Sequence, residues 1–221
     1  MENINKELKQ YMESNILPQY DDNIGGHGKE HIETVIQRSF EIIEEFDLNV
    51  NKDMVYTIAA FHDIGYKENP DKHEEESSKR FEEDENMRRF FTEEQIKIIS
   101  EAITDHRASL EYEARSDYGK IVSSADRETS VEHMLTRSLL FQSDKLASQK
   151  PTIEQVIEAS YKKLSSKYGK GGYAKMYYPD KKYTEYLEMM QFLLENKEKF
   201  IQAEMQLAKK LGINQREDEE R

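Results

Sequence analysis

The chain has 221 residues, of which 36% are apolar, a net charge of −13 at pH 7 and no cysteine. The negative charge argues against general binding to nucleic acids or anionic membranes, because both need positive potential. The lack of cysteine excludes disulfides, thiolate zinc sites and cysteine nucleophiles. Since the N-terminus lacks the apolar core of a signal peptide and no run of about 18 apolar residues occurs, we expect a cytoplasmic protein that does not enter the membrane.

Apolar residues recur at helical spacing along nearly the whole chain, and no segment has a convincing strand pattern. Helices are predicted over residues 2–14, 27–46 and 54–63, through Ser78 and Phe81, from Thr92 towards His106, over 118–146, from Thr152 onward, and over 181–211. Turns are expected at Gly25–Gly26 and in the glycine-rich segment Gly169–Tyr173. The sequence therefore predicts an all-α bundle, which we expect to form a single domain of residues 1–221.

Helix starts are marked by polar side chains with capping spacing. Asn51 or Asp53 should cap the helix over 54–63, which is apolar nearly all round and is expected to be the central buried helix. Thr92 followed by Gln95 has the spacing of a capping box, and Thr152 followed by Gln155 repeats it.

The helix over 54–63 ends in adjacent His62 and Asp63, and Gly65 is expected to break it in a left-handed turn. Adjacent helical residues point about 100° apart, so both side chains reach one centre only from the helix end. Imidazole and carboxylate groups together suit several divalent metal ions. The alternative is a buried histidine satisfied by its aspartate neighbour, and the dipeptide by itself does not decide between them.

His27 and His31 are four residues apart and share a helix face. Their spacing resembles paired zinc ligands, but Gly28 occupies the position where a zincin has glutamate. We therefore separate the two. His31, one turn into the helix, is the better ligand, whereas His27 either contacts substrate or caps the helix, and capping is favoured.

Three further segments carry a side chain that could converge on the His62–Asp63 corner. His106 ends a helix, as His62 does. Asp126 lies on the apolar side of its predicted helix, where a carboxylate is costly unless it is paired or bound to metal. His73 lies in a polar stretch where a lone histidine is usually a surface residue, and His133 is interpreted as a surface residue too. This pattern predicts a metal-centred hydrolase.

The order His31, His62–Asp63, Asp126 resembles the HD superfamily of metal-dependent phosphohydrolases, an all-helical fold named for its His-Asp pair. The segments that carry the resemblance are residues 26–35, His62–Gly65, Ala102–Arg107 and Ala125–Arg127. The resemblance covers roughly residues 20–145 and implies an HD-domain helical bundle over that range. Residues 146–221 match no motif with a known chemistry and are interpreted as a C-terminal helical extension.

Carried over by position, the resemblance implies that His31, His62, Asp63 and Asp126 hold a first metal ion. Asp63 would bridge to a second ion held by His73 and His106. The ion would be Mn, Fe, Co, Ni, Zn or Mg, because a site rich in histidine accepts several divalent metals.

Two positions depart from patterns in the superfamily. Many small HD proteins have Asp-Ala-Asp before the arginine, and here Ser124 replaces the first aspartate. Residues 64–67 occupy the place of the Glu-Asp pair that guanosine-tetraphosphate hydrolases carry. This second departure argues against a stringent-response hydrolase.

The implied reaction is hydrolysis of a nucleotide or a similar small phosphate ester by a water that the metal activates. Besides Asp63, the candidate catalytic residues are Lys67, Arg107 and Arg127, cations adjacent to presumed ligands that could stabilise phosphoryl charge. For each of them a solvated surface cation is an equally good interpretation. The segment 169–173 with Lys175 is interpreted first as a loop and second as a lid over the substrate.

Two other classes of function compete with the phosphohydrolase. One is a non-catalytic metal-binding HD module with a sensing or scaffolding role. The other is a helical interaction protein whose histidines are incidental. Tyrosines cluster at Tyr177, Tyr178, Tyr183 and Tyr186. They are interpreted either as a self-association surface, which predicts a homodimer, or as part of the core.

Overall fold

The computed structural model describes residues 4–21 and 27–213. Within these ranges the regular secondary structure is helical and no strand occurs. The α-helices are α1 (Lys6–Tyr11), α2 (Lys29–Glu45), α3 (Lys52–Phe61), α4 (His73–Glu83), α5 (Glu93–Thr104), α6 (Asp117–Ala125), α7 (Val131–Leu146), α8 (Ile153–Tyr168), α9 (Lys181–Glu195) and α10 (Lys197–Leu211). The all-α prediction is confirmed. The predicted turn at Gly25–Gly26 lies outside the described residues.

The chain forms two compact units. The first unit comprises the described residues up to Arg127 together with residues 175–180, and it contains α1 to α6. The second unit comprises residues 128–174 and the described residues from Lys181 onward, with α7 to α10. The boundary lies before α7, whereas the sequence placed the start of the C-terminal extension at residue 146.

The core of the first unit is built around α3. Its residues from Met54 to Phe61 are all buried, as expected for a helix that is apolar nearly all round. The helices α2, α4, α5 and α6 all contact it. The Asn51 side chain caps α3 by accepting hydrogen bonds from the backbone of Asp53 and Met54, so Asn51 rather than Asp53 is the cap.

The two longest predicted helices are each interrupted. The helix predicted over 118–146 ends at Ala125, and α7 begins only at Val131, where Ser130 caps the new helix through a bond from the His133 amide. The helix predicted over 181–211 breaks at Asn196, whose backbone leaves the helical conformation. Apolar spacing continues across both breaks, which is why periodicity alone missed them.

The second unit is a set of packed helices in which α7 contacts α8, α9 and α10. Its core contains Leu139, Val156, Leu164 and Phe200, each almost inaccessible to solvent. Tyr183 and Tyr186 are also buried, so these two tyrosines belong to the core and not to a surface. Both predicted capping boxes, at Thr92 and Thr152, are present.

Among the described residues, no helix has the length and apolar character that crossing a membrane requires.

Candidate metal centre

The predicted ligands lie at the ends of five helices of the first unit. His31 is in the first turn of α2, and His73 is the first residue of α4. The other four follow the last residue of a helix, His62 and Asp63 after α3, His106 after α5 and Asp126 after α6. Because α3 contacts the four other helices, these ends are brought to one corner of the unit.

Asp63 is at the centre of this corner, and its side chain is only 2% exposed. Its Oδ2 atom lies 3.5 Å from His31 Nε2 and 3.4 Å from His62 Nε2. Its Oδ1 atom lies 3.3 Å from His73 Nε2 and 3.5 Å from His106 Nε2. The two oxygens of one carboxylate therefore face two different pairs of imidazoles.

Asp126 joins the first of these pairs. Its Oδ1 atom lies 3.2 Å from His31 Nε2 and 3.8 Å from His62 Nε2. Within the described residues, three groups have ligand atoms that all lie within 4.8 Å of one another: His27–His31–Asp63, His31–His62–Asp126 and Asp63–His73–His106. The structure thus brings together all six side chains that the sequence assigned to metal, and it adds His27.

Hydrogen bonds to backbone carbonyls fix the orientation of three imidazoles. The Nδ1 atoms of His62, His73 and His106 lie 2.8, 3.1 and 2.6 Å from the carbonyl oxygens of Ala59, Pro70 and Ile103. A carbonyl oxygen can only accept, so each Nδ1 carries a proton, and Nε2 is then the acceptor in a neutral ring. Such a bond behind a histidine is the usual support of a metal ligand.

The Nε2 atoms of neighbouring imidazoles face one another. His73 Nε2 is 3.1 Å from His106 Nε2, and His31 Nε2 is 3.4 Å from His62 Nε2. Two lone pairs at these distances repel unless a proton or a cation lies near them. Imidazole nitrogen with carboxylate oxygen is a donor set that suits divalent first-row metals. The residues present therefore fit a divalent cation.

Charge at the site points the same way. Burial disfavours the charge on Asp63, but the surrounding histidines, His62 foremost, hold the pKa of its carboxyl well below the usual range. Burial also disfavours a charge on His31, yet hydrogen bonds to Asp126 and Asp63 raise its pKa to about 10. Burial and the neighbouring His106 lower the pKa of His73. Asp63 therefore stays ionised, and a positive charge is favoured on His31 but not on His73.

Residues 28–130 match the family described as HD domain. This part of the chain is an HD domain. The match includes all six side chains predicted to bind metal and ends two residues after Glu128, where the second unit begins. Comparisons with curated proteins and with solved structures gave no match.

His27, one residue before the HD match, is a residue to which the sequence gave too little weight. Its Nδ1 atom lies 2.7 Å from Asp63 Oδ2, and its ring stacks on Tyr66 at 3.7 Å between centroids with 19° between planes. It therefore contacts the central carboxylate directly, and capping of α2 was the wrong interpretation, since α2 has no side-chain cap. The spacing of four residues from His31 was the available signal.

The expected left-handed turn at Gly65 is wrong. Among the described glycines, only Gly171 and Gly212 have positive φ. At Gly65 the requirement is steric, because an added Cβ would lie 2.6 Å from the backbone nitrogen of Ser77 in α4. The Gly65 amide also donates to Ser77 Oγ at 2.9 Å. Glycine thus allows α4, which carries His73, to approach the corner where the six predicted ligands meet.

The three predicted cations have different surroundings. The Nη1 atom of Arg107 donates to Glu74 Oε1 and to the Asp71 carbonyl, both at 2.8 Å. Lys67 is exposed. His133, which the sequence interpreted as a surface residue, belongs to the second unit. Its side chain is 53% exposed, and its Nδ1 atom lies 2.6 Å from Glu128 Oε2.

Arg127 is only 5% exposed. Its Nη2 atom donates to the His106 carbonyl at 3.1 Å and to Ser123 Oγ at 2.6 Å, and its Nε atom donates to the Lys175 carbonyl at 3.2 Å. These contacts hold the backbone behind a predicted ligand of the HD domain.

Proposed function

We propose that this protein is a metal-dependent phosphohydrolase that acts on a nucleotide or a similar small phosphate ester. The observation that carries the proposal is the buried carboxylate of Asp63, each of whose oxygens faces a pair of imidazole nitrogens. The HD domain that contains this arrangement supports the same chemistry.

In this proposal His31, His62, Asp63 and Asp126 hold one divalent ion, and Asp63, His73 and His106 hold a second. When bound, such a cation makes a water molecule acidic enough to attack phosphorus near neutral pH and offsets charge on the phosphoryl oxygens. Mn, Fe, Co, Ni, Zn and Mg all remain candidates.

The chain contributes orientation and charge. The carbonyls behind His62, His73 and His106 keep their Nε2 atoms directed inward, so little reorganisation is needed when a ligand binds. Asp63 is the central catalytic residue of the proposal, because no other carboxylate at the corner faces both pairs of imidazoles. Its low pKa keeps it ionised and ready to bind a cation.

Lys67 and Arg107 are the residues we propose to stabilise phosphoryl charge. The Arg107 side chain is 33% exposed and is oriented by Glu74, which leaves a pre-positioned guanidinium at the surface. Arg127 is assigned a different role. Its buried guanidinium holds the carbonyl of His106, so we propose that it positions this ligand and does not contact substrate.

The net charge of the chain supports a small phosphorylated substrate. A small phosphorylated molecule needs only a local cation site, whereas a nucleic acid would meet a protein with a net charge of −13. A nucleic-acid partner is therefore not part of the proposal.

The test uses the purified full-length chain. Its metal content is measured by elemental analysis, and phosphate release is measured with nucleoside mono-, di- and triphosphates before chelation, after chelation and after return of each single metal. We expect turnover that disappears with the metal and returns with it. The variant His106→Gln, which lacks one imidazole ligand, should hold less metal and turn over more slowly.

The competing functions give different results in the same experiment. Stoichiometric metal without turnover on any phosphate ester would favour the sensing or scaffolding module. A protein that takes up no metal at all would leave only the helical interaction protein.

A further inference from the structure

Arg38 is a buried arginine of α2, the helix that carries His31 in its first turn, and it is 3% exposed. Its Nη1 atom donates to the backbone carbonyls of Ala125, at 3.0 Å, and of Arg127. Its Nε and Nη2 atoms donate to the two carboxylate oxygens of Asp180 at 2.8 and 2.9 Å. One guanidinium therefore joins the residues on both sides of Asp126 to a distant carboxylate.

Asp180 ends a segment that we call the return strap, residues 175–180, which belongs to the first unit although it follows residue 174 of the second. The strap makes two further sets of contacts with the end of α6. Ser124 Oγ accepts from the amides of Tyr177 and Tyr178 at 3.3 and 3.1 Å. The Lys175 carbonyl accepts from Arg127 Nε at 3.2 Å.

Asp126 needs this support because of where it lies. It is the first residue beyond α6, with its amide bonded to the Val122 carbonyl at 2.9 Å, and α7 does not begin until Val131. The hydrogen bonds of α6 therefore fix only the N-terminal side of Asp126. Arg38 binds the carbonyls before and after it, and the planar guanidinium holds these bonds and the Asp180 pair in one fixed geometry.

We infer that Arg38 and Asp180 form a positioning pair, in which a guanidinium anchored by the return strap holds the carboxylate of Asp126 at the metal corner. The inference rests on the proposed function, since it treats Asp126 as a metal ligand. It extends the functional unit beyond residues 28–130, because the strap lies outside the HD match. Ser124 also contributes to this arrangement, because its Oγ accepts the hydrogen bonds that fix the middle of the strap.

A merely structural role would look different. A buried ion pair with a purely structural role can stabilise the fold, leave its stability unchanged or destabilise it. Its loss would then change metal affinity only as far as it changes the stability of the fold. A positioning pair affects the one ligand that it holds. The two roles are separated by comparing metal affinity at matched stability.

Two variants weaken the pair without removing a side chain. Arg38→Lys keeps a positive charge but cannot bind two carbonyls and a carboxylate in one plane. Asp180→Asn keeps the shape and loses the charge. The matched control is Ile42→Val, a fully buried change on the same helix, which lowers stability and removes no hydrogen bond to the end of α6.

The measurement is a titration of the metal-free full-length protein with Co²⁺, followed by the visible absorption of the bound ion, alongside the thermal unfolding of each metal-free variant. We expect Co²⁺ affinity to fall 10- to 100-fold in both variants, which is the usual effect of losing a partner behind a metal ligand. The absorption band should also change, because Asp126 would no longer approach the ion in the same geometry. Ile42→Val should bind as the wild type does.

Other outcomes overturn the inference. If the wild type binds Co²⁺ and both variants bind it as Ile42→Val does, the pair only stabilises the fold and the proposed function stands. If the wild type binds no Co²⁺, the proposed function fails and the inference fails with it. If Arg38→Lys does not unfold cooperatively, Asp180→Asn decides alone.

Discussion

Each of the two units buries a carboxyl group, and the pKa values of these two groups are shifted in opposite directions. Asp63 in the first unit has a side chain that is 2% exposed, and Glu204 in the second is 0% exposed. The pKa of Asp63 lies well below its usual range, whereas burial raises the pKa of Glu204 to about 8 against a weaker opposing hydrogen bond from Ser160. Burial disfavours both anions, so the neighbours decide the outcome.

Those neighbours are histidines around Asp63 and serines around Glu204. Glu204 Oε1 lies 2.5 Å from Ser160 Oγ, which is 2.8 Å from Ser138 Oγ. Within the described residues, Glu204 Oε2 has no hydrogen-bond partner. Serine hydroxyls offset little of the cost of a buried charge, so Glu204 keeps its proton near neutral pH. The first unit surrounds an ionised carboxylate with imidazoles, and the second holds a neutral acid.

The largest difference between the two carboxyls should appear in activity. Replacing each by its amide, Asp63→Asn and Glu204→Gln, removes the charge and keeps the shape. We expect Asp63→Asn to lower kcat/KM by about 10³-fold or more, because both proposed ions lose the shared ligand. Glu204→Gln should leave it unchanged. Phosphate release and metal content of both variants check this, and equal losses would mean that the amides act through folding.

The free energy of unfolding should depend on pH differently in the wild type and in the variant Glu204→Gln. The unfolded chain releases this proton near the ordinary value of 4.5, but the folded chain keeps it up to about 8. The folded state thus binds more protons in this window, and the free energy of unfolding falls as pH rises through it. Glu204→Gln lacks this loss and should be more stable than the wild type at pH 9 by up to about 5 kcal/mol.

Chemical denaturation of both proteins at pH 4 and pH 9 measures the effect of Glu204→Gln. Taking the difference between the two proteins cancels the titration of all other groups. A gap between them that does not grow with pH would show that Glu204 is ionised when buried, and the contrast with Asp63 would then be lost.

A smaller effect should separate two glycines, one from each unit. Gly65→Ala places a Cβ 2.6 Å from the backbone of Ser77, so α4 has to move, and we expect a loss of about 1–3 kcal/mol in the free energy of unfolding. Gly212 ends α10 with φ of 69° and has nothing within 4 Å of an added Cβ. Gly212→Ala should cost only about 1 kcal/mol or less, for backbone strain.

Metal binding distinguishes the glycine variants further. Because α4 begins with His73, its displacement in Gly65→Ala should weaken Co²⁺ binding, whereas Gly212→Ala should bind as the wild type does. A Gly65→Ala protein with unchanged affinity would mean that α4 moves without moving His73.

The sequence predicted which ligand-type side chains gather at one corner. Most of them lie at the end of a helix whose apolar spacing is readable, as for His62 after α3 and His106 after α5. His73 begins a polar helix, and only the resemblance to the HD superfamily assigned it to metal. Local patterns of this kind are set by neighbours within a few residues. That these side chains bind metal stays a prediction.

The parts that the sequence missed depend on contacts between distant residues. The helix break after Ala125 is held by Arg38, and the return strap is held by the same side chain. At Gly65 the glycine was noticed but its reason was wrong, because the neighbour that requires it, Ser77, is in the next helix. Nothing in the local sequence around these positions indicates the partner.

The smallest expected effect concerns the surface of the second unit and the predicted homodimer. On α9, Met189 is 61% exposed and Phe192 is 50% exposed, so apolar area lies open to solvent one turn apart. Exposed apolar patches commonly mark contact surfaces, and we expect the pair Met189→Gln with Phe192→Ser to weaken self-association. The free energy of unfolding should change by no more than about 0.5 kcal/mol, because neither side chain is in the core. Sedimentation over a range of concentrations measures this, with Leu140→Gln on α7 as the exposed control. A wild type that stays monomeric at every concentration would make the homodimer prediction wrong.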